Sequence, residues 1–371
     1  MTVKLSDIAD EAGVSVMTVS NVMNGKRARV SLATIERVRE IADRLGYVPN
    51  IPARSLAAAR SHIVAAFVPV RENNSLLVSP HTVAVIGGLE AHLRHRGYHV
   101  LLRGIEHEGD IADAIRGWTL DGAILVEFAD AEIDRIRTDG VPLVAIDSYS
   151  ANPRTVGVRT DDYSGGRLAA EHLIAAGHRR MLFAGPPQGE TGVVAQRWDG
   201  FRTAAQDAGL DGRSIAVEEV LTTFEDGRRF GLRLRTDHPD VTAVFATADV
   251  MAVGIIAGLT EAGARVPDDV SLVGFDNLDL SAYSTPGLTT IAQDMPAKVA
   301  EAARIILEEI EGGEGPRAAV SLQVALVERG SVAPPRTDRS GAGGGGGGGA
   351  TARAVTTGAP VIKKKPHDHH H

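Results

Sequence analysis

Cysteine is absent from this chain of 371 residues, which excludes disulfide bonds, thiolate nucleophiles and cysteine-bound zinc or iron–sulfur clusters. A run of about 18 apolar residues, long enough to cross a membrane, is absent as well. Charged residues occur near the N-terminus, where a secretory signal would need an unbroken apolar segment. These absences predict a cytoplasmic protein with no membrane association.

Motifs of common enzyme classes are also missing, including the G-x-S-x-G of hydrolases, the phosphate-binding P-loop and the H-E-x-x-H of metalloproteases. We therefore expect no catalytic residues, no metal site and no cofactor. One enzymatic alternative stays open, because Asp249 and Asp276 could form a glycosidase pair of carboxylates about 5 to 9 Å apart. Nothing in the sequence marks either of them for a raised pKa.

The composition is typical of a folded protein with more than one domain. Hydrophobic residues make up 43% of the chain and charged residues 23%. The net charge of −8 divides unevenly, since residues 1–60 carry nine basic and six acidic side chains, which leaves −11 for the rest. This asymmetry predicts a small basic head that meets a polyanion and an acidic body that the polyanion would repel.

The basic head shows the pattern of three short helices, the first two joined by a tight turn. The predicted helices run from Ser6, as N-cap, to Gly13, from Val16 to Asn24, and from the Ser31 cap to Leu45. This arrangement predicts a helix-turn-helix unit over residues 1–48, whose second helix enters the major groove of DNA. The alternative is a plain three-helix bundle whose polar residues are caps and solvated faces.

The second helix carries side chains suited to reading DNA. Asn21 can donate and accept hydrogen bonds at the edge of adenine, and Val16 and Met17 can pack on thymine methyl groups. Short hydroxyl and amide side chains beside them suit phosphate oxygens. The predicted phosphate contacts of this helix are Ser15, Thr18, Ser20 and Asn24.

Residues 49–61 have two prolines followed by about two turns of strong helix formers. A helix this short is marginal in water, so we expect a hinge helix that forms when a partner stabilises it. Leu56 is its large apolar side chain and is predicted to insert into the minor groove, with Arg54 contacting the DNA nearby. An ordinary linker with one incidental leucine is the alternative.

The body, residues 62–333, alternates apolar strand-like runs with segments of helical pattern. This predicts parallel sheets covered by helices on both faces, in two α/β lobes hinged near residues 158–162 and again near residue 290. A ligand in such folds lies beyond the carboxyl ends of the strands, so the cleft between the lobes is the expected site. Residues 334–371 are rich in glycine and end in histidines, and they are predicted to be a disordered tail.

Four segments taken together resemble the lactose/galactose repressor family, namely KLSDIADEAGVSVMTVSNVMNG, RLGYVPNIPARSL, VPDDVSLVGFDN and PGLTTIAQDM. The resemblance implies a transcriptional repressor with a helix-turn-helix head, a hinge helix that forms on double-stranded operator DNA, and a two-lobed sensor like the periplasmic sugar-binding proteins. It also implies a homodimer, and the tail lacks the leucine heptads of the tetrameric branch. A solute-binding protein without DNA function is the alternative.

The expected effector is a small molecule, a sugar or a related polyol, whose hydroxyl groups suit carboxylate acceptors, arginine donors and an aromatic face. Asp147, Asp249 and Asp276 follow predicted strands, where the fold places a ligand. The resemblance assigns effector contacts to Arg197, Phe224, Asp249 and Asp276. Asp161 and Asp162 are interpreted as cap and hinge residues. Ala248 stands where the family usually has Asn, and Asn277 stands where it has the second Asp of a GFDD motif, which argues against a common hexose as the effector. Asn21 stands where many relatives carry Arg, which implies a different operator.

Overall fold

A computed structural model describes residues 3–23, 30–47, 60–70, 79–107, 109–138, 140–187, 189–212, 214–313 and 318–336. The predicted hinge helix therefore lies almost entirely outside the described residues. The same holds for the predicted DNA contacts Asn24, Arg54 and Leu56, and for the tail beyond residue 336. Within the described ranges, no helix is both long and apolar enough to cross a membrane.

The head consists of helices α1 (Leu5–Ala12), α2 (Val16–Met23) and α3 (Leu32–Leu45). They surround a small apolar core to which all three contribute, with Ile8, Val19 and Val38 among its most buried members. Glycines in the left-handed conformation end α1 and α3, at Gly13 and Gly46. These residues have no Cβ and adopt positive φ without strain, as the sequence predicted.

Two helix starts in the head show how capping chemistry works and where the prediction failed. Ser31 caps α3 as expected, since its side chain accepts a hydrogen bond from the Thr34 amide. The predicted Ser6 cap of α1 is wrong, because Lys4, two residues earlier, occupies the cap position and the helix begins at Leu5. The Asp7 carboxylate accepts the Lys4 amide at 2.9 Å, which is the hydrogen bond that an acid at the third helical position makes to the cap residue in a capping box.

Lobe 1 is a six-stranded parallel sheet, in the described part of the chain, with the order β11-β5-β4-β3-β1-β2. Helices cover both faces, and the apolar strand runs alternate between two buried clusters. Its strands are β1 (Ile63–Pro69), β2 (His99–Ile105), β3 (Gly122–Leu125), β4 (Leu143–Ile146), β5 (Thr155–Thr160) and β11 (Val320–Leu322), and its helices are α4 (Pro80–His95), α5 (Asp110–Trp118), α6 (Asp130–Arg135) and α12 (Met295–Ile310).

Lobe 2 has the same architecture, with the strand order β12-β10-β9-β8-β6-β7, in which only the pairing of β10 with β12 is antiparallel among the described strands. Its strands are β6 (Met181–Gly185), β7 (Ile215–Glu219), β8 (Ala243–Ala246), β9 (Ser271–Asp276), β10 (Thr289–Gln293) and β12 (Val324–Val327), and its helices are α7 (Asp162–Ala175), α8 (Val193–Asp207), α9 (Phe224–Asp237), α10 (Asp249–Glu261) and α11 (Asp279–Tyr283). The predicted fold class, an all-α head followed by a two-lobed α/β body, is confirmed.

The chain passes between the lobes three times among the described residues, from β5 to α7, from β10 to α12 and from β11 to β12. Each crossover is short, since Thr160 ends β5 while Asp162 begins α7, and Gln293 ends β10 while Met295 begins α12. The first two crossovers coincide with the segments expected to be hinges. The sequence did not indicate the third, because β11 and β12 are short edge strands.

Helices α7 and α8 of lobe 2 pack unusually closely, and glycines allow it. A Cβ built on Gly166 of α7 would lie 1.9 Å from the carbonyl oxygen of Arg197, and one on Gly200 of α8 would lie 1.9 Å from that of Tyr163. Neither position can hold a side chain without moving a helix. The two backbones thus contact each other directly, and this contact sets the position of α8.

Candidate effector cleft and DNA-binding helix

Two of the predicted site residues lie directly at strand ends and have uncommon backbone conformations. Asp147 follows β4 with a φ of 54°, and Asp276 ends β9 with a φ of 120°. Residues other than glycine rarely adopt a positive φ, and such strain is frequent at functional sites because the surrounding structure must maintain it. Both carboxylates are at the carboxyl ends of parallel strands, as the topology predicted.

Asp147 of lobe 1 lies between a lysine and a histidine. Lys298 Nζ donates to its Oδ1 at 2.5 Å, and His81 Nε2 lies 3.0 Å from its Oδ2. Burial alone would raise the pKa of Asp147, but attraction by Lys298 and the hydrogen bond from His81 outweigh it and hold the pKa well below its usual range. Burial likewise disfavours the charged form of His81, yet the hydrogen bond and charge of Asp147, with a contribution from Asp276, raise its pKa above 6.5.

A hydrogen-bonded chain continues from Lys298 into lobe 2. Besides Asp147, the ammonium group donates to Thr160 Oγ1 at 3.0 Å and to the side-chain oxygen of Gln293. The amide nitrogen of Gln293 in turn donates to Asp276 Oδ1 at 2.5 Å. Asp147 and Asp276, predicted separately as effector contacts, are therefore joined through a lysine and a glutamine.

Arg197 of α8 is buried in lobe 2, where it contacts three neighbouring residues. Its guanidinium donates to Asp162 Oδ1 at 2.8 Å and to the carbonyl oxygen of Thr247 at 2.6 Å, and it stacks 3.5 Å from the centre of the Phe275 ring. Asp162 also accepts a hydrogen bond from the Tyr149 hydroxyl at 3.0 Å. Burial raises the pKa of Asp162, and the charge of Arg197 opposes that shift.

Asp249, the first residue of α10, is fully buried, and both of its carboxylate oxygens have protein donors. Thr290 Oγ1 donates to Oδ1 at 2.5 Å, and the Leu278 amide donates to Oδ2 at 3.1 Å. Burial, followed by the nearby charge of Asp276, raises the pKa of Asp249 far above its usual range, and burial also raises that of Asp276. Neither shift was indicated by the sequence. Each oxygen of Asp249 thus accepts a hydrogen bond from within lobe 2.

Phe224 stands apart from these contacts. It is the first residue of α9, capped by Thr223, and not part of a preceding loop as the sequence suggested. Its ring is 44% exposed, so it is available to an incoming molecule. Its role as an aromatic effector contact stays a prediction.

Sequence reasoning missed four polar residues of the cleft, namely His81, Thr160, Gln293 and Lys298, and it interpreted Asp162 as a hinge residue only. A signal for Lys298 was present. It shares the buried face of α12 with Ala302 and Ile305, which follow at i+4 and i+7, so a lysine stands at a core position of the helix. Asp161 does act as the N-cap of α7, accepting the Ser164 amide at 3.0 Å.

In the head, α2 presents a face that matches the predicted base contacts. Met17 is 69% and Val16 is 48% exposed, and Asn21 is partly exposed, whereas Val19 is buried against the other helices. The exposed side chains of Val16 and Met17 are therefore accessible to a partner of the head. The contacts of Val16, Met17 and Asn21 with bases stay predictions.

The hydroxyl groups at the start of α2 also have a structural role. Ser15 Oγ accepts the Thr18 amide at 3.1 Å and lies 2.9 Å from the Thr18 hydroxyl, which is the geometry of an N-cap. Ser20 is partly buried in the same helix. The predicted phosphate contacts of Ser15, Thr18 and Ser20 are not tested by these observations.

A helix-turn-helix head joined to a two-lobed α/β ligand-binding body defines a DNA-binding transcriptional regulator of the ligand-responsive class. Residues 4–50 match the model of bacterial regulatory proteins of the lacI family, and residues 170–332 match that of the periplasmic binding protein-like domain. The chain belongs to the LacI family. The family and the regulatory function expected from the sequence are thereby confirmed.

Named relatives are similar over nearly their whole length. The HTH-type transcriptional regulator MalR of Streptomyces coelicolor is 34% identical over 90% of this chain and 97% of its own. CelR of Thermobifida fusca is also 34% identical, over 88% and 97%. Among solved structures, the CelR–cellobiose complex superposes with a TM-score of 0.65 at 29% identity, covering 89% of this chain and 99% of that one. The lac repressor dimer bound to operator and the anti-inducer ONPF gives 0.78 at 26% identity, covering 90% and 100%.

Proposed function

We propose that this regulator is a homodimeric repressor in the cytoplasm whose affinity for operator DNA is controlled by a sugar or related polyol bound between the two lobes. The observation that carries the proposal is the convergence of Asp147 from lobe 1 with Asp276 from lobe 2 through Lys298 and Gln293. Arg197, paired with Asp162, adds its charge near Asp276. Carboxylates at the ends of strands are the acceptors that hydroxyl groups of a polyol require.

The predicted effector contacts have different roles in this proposal. Asp147 and Asp276 accept hydroxyl hydrogen bonds, Arg197 donates from the floor of lobe 2, and Phe224 packs on the apolar side of a ring. Asp249 supports the cleft from within lobe 2, because its oxygens accept hydrogen bonds from the Thr290 hydroxyl and the Leu278 amide. Compared with the family pattern, Ala248 lacks an amide side chain and Asn277 has an amide in place of an acid. These two departures favour an effector other than a common hexose.

The proposal of DNA binding rests on the head, with α2 as the recognition helix. The relatives named above support it, since one solved structure holds a lac repressor dimer on operator DNA and another holds cellobiose in CelR. By this analogy the chain binds a near-palindromic site as a dimer, each copy presenting one α2 to the major groove.

The test combines a thermal-shift screen with a DNA-binding assay. The purified chain is screened against sugars, polyols, sugar phosphates and nucleosides, since a ligand of the folded state raises the melting temperature with concentration. Genomic fragments captured by the protein then serve in mobility-shift titrations with and without each hit. The proposal expects sequence-specific binding that a hit weakens. Ligand binding without any specific DNA binding would instead support a solute-binding protein.

A further inference from the structure

Lys298 is a lysine with no exposure to solvent, on the buried face of α12 in lobe 1. A buried ammonium group is unfavourable unless acceptors replace the water it has lost. All three of its protons have such acceptors, at Asp147, Thr160 and Gln293. The group is therefore fixed in place by its partners rather than tolerated at the edge of the core.

Those three acceptors belong to different parts of the molecule. Asp147 follows β4 of lobe 1, whereas Thr160 and Gln293 are the last strand residues before two of the crossovers into and out of lobe 2. Thr160 Oγ1 also donates to the Gln293 side-chain oxygen at 2.8 Å. One ammonium group thus holds a lobe 1 carboxylate and both of these crossovers.

Lys298 also dictates which way the Gln293 amide faces. A lysine ammonium can donate but not accept, so the oxygen of Gln293 must face it and the amide nitrogen must face the other way. The nitrogen then donates to Asp276 of lobe 2 at 2.5 Å. Lys298 thus determines the donor-to-acceptor direction of these hydrogen bonds, which run from the lysine through Gln293 to Asp276, the second carboxylate that faces the effector.

We infer that Lys298 is a positioning residue that couples Asp147 of lobe 1 to Asp276 of lobe 2 through the Gln293 amide, so that a change at one carboxylate is felt at the other. The inference rests on the proposed function only in that these two carboxylates face the effector. An effector hydroxyl that donates a hydrogen bond to either carboxylate would weaken that carboxylate's contact with Lys298 or Gln293. The contact at the other carboxylate would then change as well, so both lobes would respond together.

The charged groups around this chain are consistent with a shared cation. His81 of α4 contacts Asp147, and it also feels the charges of Asp276 from β9 and Lys298 from α12. Lys298 and His81 contact Asp147 from two sides, and the Gln293 amide joins Lys298 to Asp276 by hydrogen bonds, while the charges of His81 and Arg197 also act on Asp276. Removing the amide would cut this hydrogen-bonded link without touching the ion pair of Lys298 with Asp147.

The test is a double-mutant cycle in the full chain, without any effector. Asp147→Asn, Asp276→Asn and the double variant are unfolded in urea, and their unfolding equilibrium constants are compared. Groups coupled through a shared network deviate from additivity by about tenfold, whereas independent sites agree within about twofold. With Lys298 and Gln293 in place, we expect the unfolding equilibrium constants to deviate from additivity by about tenfold.

The same cycle is repeated in two further backgrounds that cut the connection. In Lys298→Met and in Gln293→Leu the deviation should fall to about twofold or less. Gln293→Leu keeps the ion pair and gives an answer even if Lys298→Met does not fold. In the matched control Arg304→Met, an exposed cation of the same helix, the deviation should persist.

Two results would overturn the inference. One is additivity in the native background. The other is a deviation that survives Gln293→Leu, because direct repulsion between the two carboxylates needs no amide. Since no ligand takes part, a failed effector screen would count against the proposed function and leave this result unaffected.

Discussion

The carbonyl oxygen of Arg197 lies where Gly166 must have no side chain, since a Cβ there would approach it to 1.9 Å. The same residue that contributes its guanidinium to the cleft therefore contributes its backbone to the closest helix contact described in lobe 2. Packing and effector recognition meet at one position. A change on α7, away from the cleft, should consequently be felt in the cleft.

Replacing Gly166 by alanine should force α7 and α8 apart and displace Arg197 from Asp162. Overpacking of this kind costs about 1 to 3 kcal/mol, and here a rigid backbone resists it. Urea unfolding and calorimetric titration with a screened ligand measure the two consequences, lower stability and weaker binding. The matched control is Gly87→Ala in α4, where a Cβ meets nothing within 4 Å and helix propensity predicts a gain of about 0.4 to 1 kcal/mol. A Gly166→Ala variant as stable as the native chain would contradict the packing argument.

Asp276→Asn should weaken effector binding, because a buried hydroxyl of the ligand loses a charged acceptor. Hydrogen bonds to charged groups are worth on the order of 1.5 to 3 kcal/mol. Titration calorimetry with the ligand from the screen measures the loss, and mobility shift measures the reduced response of DNA affinity. Asp279→Asn, an exposed acid three residues further on, serves as the control and should bind normally. Equal losses in both variants would show that Asp276 does not contact the ligand.

Asn21→Ala should reduce affinity for the cognate operator far more than affinity for random DNA. Removal of a base contact costs about 1 to 3 kcal/mol at the specific site, whereas nonspecific binding depends on phosphates. Mobility-shift titrations on both DNAs at one salt concentration give the two values. Equal weakening on the two DNAs would mean that Asn21 positions the head without reading sequence.

His178 should make lobe 2 less stable as the pH falls. It is buried, its Nδ1 lies 2.9 Å from the Thr242 hydroxyl and its Nε2 lies 3.0 Å from the Ala333 carbonyl oxygen. Burial lowers its pKa, so the unfolded chain binds the proton more readily than the folded one. The stability that His178 contributes is present above about pH 6.5 and is lost as the pH falls through its lowered pKa.

Melting curves of the native chain and of His178→Gln across this range measure the effect. The difference between them should be largest at neutral pH and shrink in acid. His81, whose pKa is raised, contributes with the opposite sign, and its contribution is lost as the pH rises. A difference for His178→Gln that grows toward acid pH would contradict the assignment.

The fold was largely predictable because local patterns and long-range packing agree. Helical spacing and a cap such as Ser31 define the head, and strands alternating with helices define the body. The sequence pattern does not locate the start of α4, because the segment that follows the Ser79 cap and Pro80 is only weakly amphipathic. The Ser6 cap failed because the helix begins before this serine, with the Asp7 carboxylate accepting the Lys4 amide.

The cleft was predictable only in part, for a physical reason. Asp147 and Asp276 follow from strand ends, which sequence patterns locate. Lys298, Gln293 and His81 come from three different elements, and their meeting depends on the short crossovers between lobes. A lysine on a buried helix face is visible in the sequence, but its partners are not.

The three crossovers have a consequence for how the molecule is made. Lobe 1 is assembled from residues 63–160 together with α12 and β11, so it is not a contiguous piece of the gene. During synthesis on the ribosome, α12 and β11 of lobe 1 emerge only after all of lobe 2 except β12. Until Val299 and Ile306 arrive, the surface they cover in lobe 1 stays open to solvent. A chimera that exchanges one lobe between two such regulators must therefore join the chain at each crossover, because a single cut would leave each lobe incomplete.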